Sequence, residues 1–388
     1  MTTDPFENEF AACPDRKGTG SEKWDRWSGQ DVLPMWVADM DFCTPREILD
    51  AIHQRTQHGV FGYTHEPPGF ADALANHLQR QHSWNIDPSR VIATPGVVTG
   101  LAMTARLLSQ PDDEILTFTP VYPPFLSLPG MGNRRCVRIP LIQKETTWDI
   151  DWETFKASIT PRAKIFWLCH PHNPTGLVFT KENLLRIADI CEEHRITVVS
   201  DEIWSDLIID PQCTHIPFAS LHHDATKHAI TLVAPSKTWN LAGLGCAAAI
   251  LPSHTRRKQW IASGGGLVPM INPLGYAAAE AAWNYGDAWR QKLLTVLRTH
   301  HTMIQSVIHD IAGLSCIPAQ ATYLSWIDCR PTPVKNPMEA CIRAGLGPSD
   351  GHDFGAPGFI RLNIACPTAR LEDALDRLKQ AFRTPFHS

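Results

Sequence analysis

The sequence predicts an α/β protein in which a mostly parallel sheet is followed by a smaller α/β domain. Between residues 114 and 250, short apolar runs alternate with stretches of helical periodicity, which is typical of a parallel sheet. After Pro273, a long helical stretch leads into short strands and a last amphipathic helix. A chain of 388 residues is long enough for two domains. We expect an N-terminal arm at residues 1–45, a large domain at 46–285 and a small domain at 286–388.

The predicted strands of the large domain end close to chemically distinctive side chains. Apolar runs of β-type composition lie at residues 90–94, 114–120, 164–169, 196–203 and 229–235. The last four of these lead to Tyr122, Asn173, Asp201 and Lys237. Functional residues of parallel sheets gather at the carboxyl ends of the strands, so we predict that these four side chains meet in one site.

The remaining periodicity predicts helices and the strands of the small domain. Thr44-Pro45-Arg46-Glu47 is typical of a helix that begins with proline at its first position. Helices are predicted from there to about residue 58 and at residues 70–84, 101–110, 182–195, 274–310 and 370–383. Strands of the small domain are predicted at residues 321–328 and 358–366.

Composition excludes several classes of partner. The net charge is −5 and no basic block occurs, so neither nucleic acid nor an anionic membrane is expected as a partner. Eleven cysteines are scattered without a C-x-x-C pair, which favours a reducing compartment over disulfides or zinc. The paired histidines lack metal-ligand spacing, so we expect no metal site. The sequence MTTDPFENEF has no apolar leader region, and no run is long enough for a membrane span. We therefore expect a cytoplasmic protein.

Lys237 is the residue around which the predicted site is organised. It follows the apolar run Ile230–Ala234 and has no carboxylate beside it in sequence. Desolvation lowers the pKa of a lysine, and a neutral amine attacks carbonyl carbons to form Schiff bases. A lysine at the end of a strand is, taken alone, more often a surface residue in a turn. The other motifs reverse that interpretation.

Asp201, Asn173 and Tyr122 match the needs of a pyridoxal phosphate ring. A buried carboxylate at Asp201 would keep the pyridine nitrogen protonated, so that the ring acts as an electron sink. Asn173 would donate an amide N–H to the phenolic oxygen, and Tyr122 would stack on the ring. Taken singly, Asp201 could cap a helix, and Asn173-Pro-Thr-Gly could be a simple turn.

Further residues match the cofactor phosphate and a substrate carboxylate. Gly96, Val97 and Val98 follow a strand and begin a helix, where free backbone N–H groups bind anions. Tyr63 and Ser236 could add hydroxyl groups. Arg361 is flanked by apolar residues and is expected to point inward, where a guanidinium binds a carboxylate through two hydrogen bonds. The alternative is a strand arginine on a solvated face.

These motifs resemble a known family. Asn173-Pro-Thr-Gly, Asp201-Glu202, Ser236-Lys237 and Arg361-Leu-Asn occur in this order over nearly the whole chain, as in the fold-type I pyridoxal phosphate enzymes of the class I/II aminotransferase family. More narrowly, LPMWVADMDF, GYTHEPPGF, TPGVVTGL, APSKTWNLAGL and FIRLNIACP resemble the MalY/PatB-type cystathionine β-lyases, also called C–S lyases. The resemblance implies a large domain with a mostly parallel seven-stranded sheet between helices.

The resemblance also implies roles for individual residues. Lys237 would bind pyridoxal 5'-phosphate covalently and, with Asp201 and Tyr122, form the catalytic group. Substrate contacts would come from Arg361, Asn173, Trp36 and Ala38. Tyr63 would reach the cofactor phosphate of a neighbouring subunit, which implies a homodimer with shared active sites.

Departures from the aminotransferase pattern favour the lyase subgroup. Gly245 stands where typical aminotransferases of the family have a phosphate-binding arginine, and Ala234 where many have a serine. Trp204 stands where a tyrosine commonly contacts the phenolic oxygen. An indole N–H donates but does not accept a hydrogen bond, so Trp204 either contacts the cofactor as a donor or forms a wall of the pocket.

The expected reaction is α,β-elimination from L-cystathionine or a related cysteine S-conjugate, which gives pyruvate, ammonia and a thiol. Lys237 would be the general base. The loop Met35-Trp36-Val37 and Trp204 predict an uncharged or hydrophobic leaving-group side. The alternatives are an amino-acid aminotransferase, in which the same lysine reprotonates the cofactor, and a MalY-like regulator that binds a transcription factor.

Overall fold

The computed structural model describes residues 9–11 and 13–383. Most of the acidic segment that led us to expect no leader lies outside these residues. Among the helices of the described part, none has the length and apolar character needed to cross a membrane.

An eight-stranded sheet forms the centre of the large domain and confirms the predicted fold class. Its order is Val91–Thr94, Ala247–Ile250, Ile230–Val233, Thr197–Asp201, Ala163–Cys169, Glu114–Thr119, Arg135–Gln143 and Trp148–Ile150. The five strands from Ile230–Val233 to Arg135–Gln143 are parallel, whereas Ala247–Ile250 is antiparallel to both of its neighbours. The predicted number of seven is one too low, because Trp148–Ile150 folds back on Arg135–Gln143 as an antiparallel edge strand.

Side chains of the central strands alternate between two cores, one on each face of the sheet. Ile165 and Trp167 contribute to the core beneath the helix Val97–Leu108. Phe166 and Leu168 contribute to the opposite core, which the helix Lys181–Glu193 covers. Both faces are buried, and for this reason the strand sequence is continuously apolar rather than alternating.

Helices cover the sheet and continue into the small domain. They span Glu22–Asp25, Arg46–Gln57, Pro68–His82, Val97–Leu108, Pro123–Met131, Trp152–Ala157, Lys181–Glu193, His254–Gly264, Pro273–Tyr285, Asp287–His309, Pro337–Arg343 and Thr368–Ala381. Two predictions need correction. Pro45 is the residue before its helix rather than the first residue in it. The predicted helix at 274–310 is two helices, Pro273–Tyr285 and Asp287–His309, separated at Gly286. A larger residue does not fit at this position, because a Cβ would lie 2.2 Å from Nε1 of Trp239.

The arm packs against a small three-stranded sheet. This sheet has the order Leu324–Asp328, Phe359–Asn363 and Ser349–Asp350, and all its pairs are antiparallel. Leu33–Pro34 of the arm pairs with Leu346–Gly347, and Asn363 N–H donates to the carbonyl of Met35 at 2.8 Å. The domain boundaries at 45 and 285 stay a prediction.

Candidate active site

A cavity of about 500 Å³ lies at the carboxyl ends of the parallel strands. It is lined by every residue predicted for the site except Tyr63, namely Trp36, Ala38, Gly96, Val97, Val98, Tyr122, Asn173, Asp201, Trp204, Ser236, Lys237 and Arg361. The structure therefore brings together residues that are up to 325 positions apart in sequence, as in the pair Trp36 and Arg361. Their individual roles stay predictions.

Lys237 lies in the turn after the strand Ile230–Val233, and its amine is held by the arm. Nζ donates a hydrogen bond to the carbonyl oxygen of Ala38 at 2.7 Å. Burial, together with the positive charge of Arg361, lowers the pKa of the Lys237 amine to about 8. A substantial fraction of the amine is therefore neutral just above neutral pH, which is the form that attacks carbonyls and accepts protons.

Asp201 is the last residue of its strand, and its carboxylate forms no ion pair with any of the described residues. Its side chain accepts a hydrogen bond from the N–H of Ile203 at 3.1 Å. Burial raises the pKa of the Asp201 carboxyl to about 7, and the Lys237 charge offsets only part of this effect. A buried carboxylate of this kind is stabilised by a cation placed against it.

Arg361 lies in the strand Phe359–Asn363 and is buried against the cavity. Its Nη1 donates to Oδ1 of Asn173 at 3.0 Å, and its Nη2 donates to the carbonyl of Trp36 at 2.8 Å. The guanidinium carbon lies 4.6 Å from the ring centroid of Phe354. Burial lowers the pKa of Arg361 to about 10, so it remains a cation at neutral pH.

The helix Val97–Leu108 directs its N-terminus at the cavity. It begins at Gly96 without a side-chain cap, so its first N–H groups remain available. Gly100 allows this helix to approach the sheet, because a Cβ there would lie 2.8 Å from Leu232. Gly245, which also lines the cavity, has φ +57, a backbone conformation that disfavours an arginine at this position.

Aromatic residues form the walls of the cavity. Tyr122 precedes the helix Pro123–Met131, and its N–H donates to the carbonyl of Asn173 at 3.1 Å. Trp204 packs edge to face on Tyr323, with centroids 4.8 Å apart, and its ring centroid lies 5.8 Å from Nζ of Lys237. These contacts support the predicted interpretation of Trp204 as a wall.

Tyr63 lies apart from these residues. Its side chain is fully exposed and does not line the cavity of its own chain. The prediction that it completes the site of a neighbouring subunit stays a prediction.

Sequence reasoning missed several residues of the site. The hydroxyl of Tyr323 donates to the carbonyl oxygen of Ala38 at 3.0 Å, and the same oxygen accepts the hydrogen bond from Nζ of Lys237. Ser349 donates to the carbonyl of Trp36 and accepts from Arg361. Tyr323 occurs in a predicted strand, but nothing in its local sequence indicates a contact with Ala38. Of the residues behind the expected apolar leaving-group side, Trp36, Val37 and Trp204 line the cavity, whereas Met35 is buried outside it. Glu22 and Arg26, which the sequence did not suggest, also line the cavity. The leaving-group preference stays a prediction.

The comparisons with known proteins decide the family. The model of the family "Aminotransferase class I and II" matches residues 30–378. The chain belongs to this family. Cystathionine beta-lyase PatB of Bacillus subtilis (strain 168) is 36% identical, over 96% of this chain and 99% of that protein. The predicted resemblance to the PatB-type proteins is thereby confirmed.

Solved structures agree over the whole length. The crystal structure of OvoB is 36% identical with a TM-score of 0.94, and the alignment covers 97% of this chain and 100% of that one. The pyridoxal-phosphate-bound C–S lyase from Staphylococcus hominis is 27% identical with a TM-score of 0.90, over 97% and 98% of the two chains.

The donor set of the cavity fits pyridoxal phosphate. A buried amine, Lys237, and a buried carboxylate without a paired cation among the described residues, Asp201, lie in the same cavity as an uncapped helix N-terminus. Nε of Arg361 is buried and makes no hydrogen bond to any described residue. These groups are the ones required by an aldehyde, a protonated pyridine, a phosphate and a substrate carboxylate.

Proposed function

We propose that this chain is a pyridoxal-phosphate-dependent carbon–sulfur β-lyase. It cleaves L-cystathionine or a related cysteine S-conjugate to pyruvate, ammonia and a thiol, which is homocysteine when cystathionine is the substrate. The observation that carries the proposal is the meeting of Lys237, Asp201 and Arg361 at one cavity. The similarity to PatB over almost the whole length supports the lyase over other reactions of the family.

Specific residues would hold the cofactor. Lys237 would bind its aldehyde carbon, Asp201 would face the ring nitrogen and Tyr122 the ring itself. Asn173 would donate an N–H group to the phenolic oxygen, and Trp204 would form a wall beside the ring. The phosphate would take the N–H groups of Gly96, Val97 and Val98 with the hydroxyl of Ser236. When bound, pyridoxal phosphate supplies an electron sink for negative charge that develops at the substrate α-carbon.

Asp201 sustains that electron sink through its charge. Its pKa of about 7 applies while no cation neutralises it. The Asp201 carboxylate would raise the pKa of a ring nitrogen bound against it, and its own pKa would fall, since each group would stabilise the charged form of the other. Asp201 would thus hold the proton on the nitrogen at neutral pH.

Arg361 and Asn173 orient the substrate. The guanidinium is held by Asn173, Ser349 and the Trp36 carbonyl, and its Nε is left free for a ligand. A substrate α-carboxylate bound there fixes the α-carbon relative to Lys237. Holding the reacting groups in position lowers the entropic part of the activation barrier.

Lys237 moves the proton. Its Nζ, with a pKa of about 8, removes the proton from the substrate α-carbon and then has a proton to give to the departing sulfur. The bond between the β-carbon and sulfur breaks, the thiol leaves, and the remaining three-carbon fragment is hydrolysed to pyruvate and ammonia. Ala38, whose carbonyl oxygen accepts from Nζ at 2.7 Å, keeps the amine at the cavity wall.

A homodimer with shared sites is part of the proposal. Val60, Phe61 and Tyr63 form an exposed apolar stretch, with side chains 61%, 57% and 101% exposed. Exposed aromatic clusters are typical of protein interfaces. We expect sedimentation to give twice the chain mass of 43.3 kDa, and Phe61→Asp to shift the protein toward the monomer.

The deciding experiment combines a spectrum with an assay. The purified protein should absorb near the boundary of the visible and ultraviolet ranges, and Lys237→Ala should lose this band. L-Cystathionine should yield pyruvate and free thiol in equal amounts. Amino transfer that depends on a 2-oxo acid, without pyruvate formation from cystathionine, would instead identify an aminotransferase. A protein that binds no cofactor would contradict the proposal and leave the regulatory alternative.

A further inference from the structure

The mouth of the cavity carries two charged residues from the arm. Glu22 and Arg26 both line the cavity. Glu22 begins the short helix Glu22–Asp25, and Arg26 continues it with φ −57 and ψ −39. Residues four apart in a helix lie on the same face, so the carboxylate and the guanidinium are neighbours at the mouth.

Two tryptophans hold the Arg26 guanidinium. Its carbon lies 4.2 Å from the ring centroid of Trp36 and 5.1 Å from that of Trp27. Trp36 is itself fixed by a hydrogen bond from its Nε1 to the carbonyl of Lys23 at 3.2 Å. The ring of Trp27 rests against Gly347, where a Cβ would lie 2.5 Å from it. Stacking engages the face of a guanidinium and leaves its N–H groups available.

Glu22 and Arg26 have no charged partner among the residues that the structure describes. Neither side chain forms a hydrogen bond or ion pair with another of the residues that the structure describes. The three other carboxylates of the lining differ in this respect, and the first of them, Asp201, accepts from the N–H of Ile203 at 3.1 Å. Asp350 accepts from the N–H of His352 at 2.9 Å, and Asp353 lies 3.8 Å from the His352 ring nitrogen.

Arg26 and Arg361 lie at different depths of the same cavity. Arg361 is 4% exposed, whereas Arg26 is an exposed residue at the mouth. They are the two arginines of the lining. Two guanidinium groups in one cavity fit a substrate that carries a carboxylate at each end.

We infer that Arg26 and Glu22 form a distal subsite for the leaving half of the substrate, and that this half is a thiol with its own amino-acid head group. Arg26 binds the distal carboxylate through its free N–H groups, and Glu22 binds the distal ammonium. The inference rests on the proposed lyase function, because Arg361 is taken to bind the carboxylate of the half that reacts. It selects S-conjugates with a zwitterionic end over S-alkyl cysteines.

The test compares three substrates in the holoenzyme. L-Cystathionine has a distal carboxylate and ammonium, S-(2-carboxyethyl)-L-cysteine has only the carboxylate, and S-ethyl-L-cysteine has neither. Arg26→Met should lower the ratio of kcat/KM for cystathionine over S-ethyl-L-cysteine about tenfold, mainly through KM, because a hydrogen bond to a charged group is lost. The same variant should lower the ratio of kcat/KM for S-(2-carboxyethyl)-L-cysteine over S-ethyl-L-cysteine by a similar factor. Glu22→Gln should lower the first ratio but not the second.

Arg186→Met is the matched control. Its guanidinium carbon lies 4.3 Å from the ring centroid of Trp152, so it is also a stacked, exposed arginine, but it does not line the cavity. The control should leave both ratios unchanged. Equal losses on all substrates with Arg26→Met, or no change on any, would overturn the subsite.

A binding measurement separates this inference from the lyase proposal. If the wild type cleaves none of the substrates, the lyase proposal fails. Calorimetry of cystathionine binding then decides the subsite by itself. Weaker binding to Arg26→Met than to Arg186→Met supports the subsite, whereas equal binding overturns it.

Discussion

Arg361 donates a hydrogen bond from Nη1 to Oδ1 of Asn173 at 3.0 Å, across 188 positions of sequence. The bond joins a strand of the small sheet to the loop after Ala163–Cys169. The cavity therefore has one wall from each sheet. A carboxylate bound at Arg361 would therefore be coupled through this contact to the loop that holds Asn173.

The first prediction concerns this pair. Arg361→Lys should lower kcat/KM for L-cystathionine by tenfold to about a hundredfold, because an ammonium cannot reproduce the forked contacts to Asn173 and the Trp36 carbonyl. Steady-state kinetics measure the effect. Arg330→Lys is the control, since Arg330 also lies over an aromatic ring, that of Phe359 at 4.6 Å, but does not line the cavity.

A double-mutant cycle extends this test. If the Arg361–Asn173 hydrogen bond positions the guanidinium, the losses of transition-state stabilisation in Arg361→Lys and Asn173→Ala, calculated from kcat/KM, will not add. A coupling of about 0.5–3 kcal/mol is expected for residues in contact. Strict additivity would show that the two residues act independently.

The second prediction concerns the amine of Lys237. In cofactor-free protein, labelling of Lys237 by acetic anhydride should reach half its maximal rate near pH 8, because burial and then Arg361 lower the pKa of the amine to about 8. Arg361→Gln should move this midpoint to higher pH by removing the positive charge. Peptide mass spectrometry follows the label at Lys237 alone. A wild-type midpoint near pH 10 would contradict the prediction.

The third prediction concerns stability and pH. Burial raises the pKa of Asp201 from 3.8 to about 7 in the folded chain, so folding binds a proton between these values. Its contribution to stability is complete below pH 3.8 and is lost as the pH rises through about 7. In cofactor-free protein, wild type should lose up to roughly 4 kcal/mol of unfolding free energy relative to Asp201→Asn over this range.

Urea unfolding at a series of pH values measures this difference. Asp310→Asn, which alters an exposed aspartate, serves as the control and should follow the wild-type curve. A pH-independent difference between wild type and Asp201→Asn would show that Asp201 is already neutralised in the cofactor-free chain.

The fourth prediction concerns the break between two helices. Gly286→Ala should destabilise the protein by about 1–3 kcal/mol, because the added Cβ would lie 2.2 Å from Nε1 of Trp239 and 2.7 Å from the carbonyl oxygen of Ala282. Thermal unfolding checks the loss. Gly130→Ala is the control, because a Cβ there meets nothing within 4 Å. Gly130 lies in the helix Pro123–Met131, where alanine is the better helix former, so this variant should not destabilise the protein.

The sequence by itself determined the mostly parallel character of the sheet, the family and the residue types of the site. The continuously apolar runs identified four of the five parallel strands, because both faces of such a sheet are buried. The fifth, Arg135–Gln143, was missed because it is partly exposed and its sequence mixes polar with apolar residues. Asp201 and Lys237 were found because they come at or just after the ends of such runs. Parallel strands present their carboxyl ends at one edge of the sheet, where functional residues gather. The motifs around Asn173 and Arg361 then identified the family.

Only the tertiary structure decided which remote residues line the cavity or support its lining. Tyr323 and Ser349 have no distinctive local sequence, and their contacts to Ala38 and Trp36 exist only after the small sheet packs on the arm. Arg26 belongs to an arm whose sequence is irregular, and its place at the mouth depends on the rings of Trp27 and Trp36. Such contacts span hundreds of residues, and local propensity and periodicity carry no information about them.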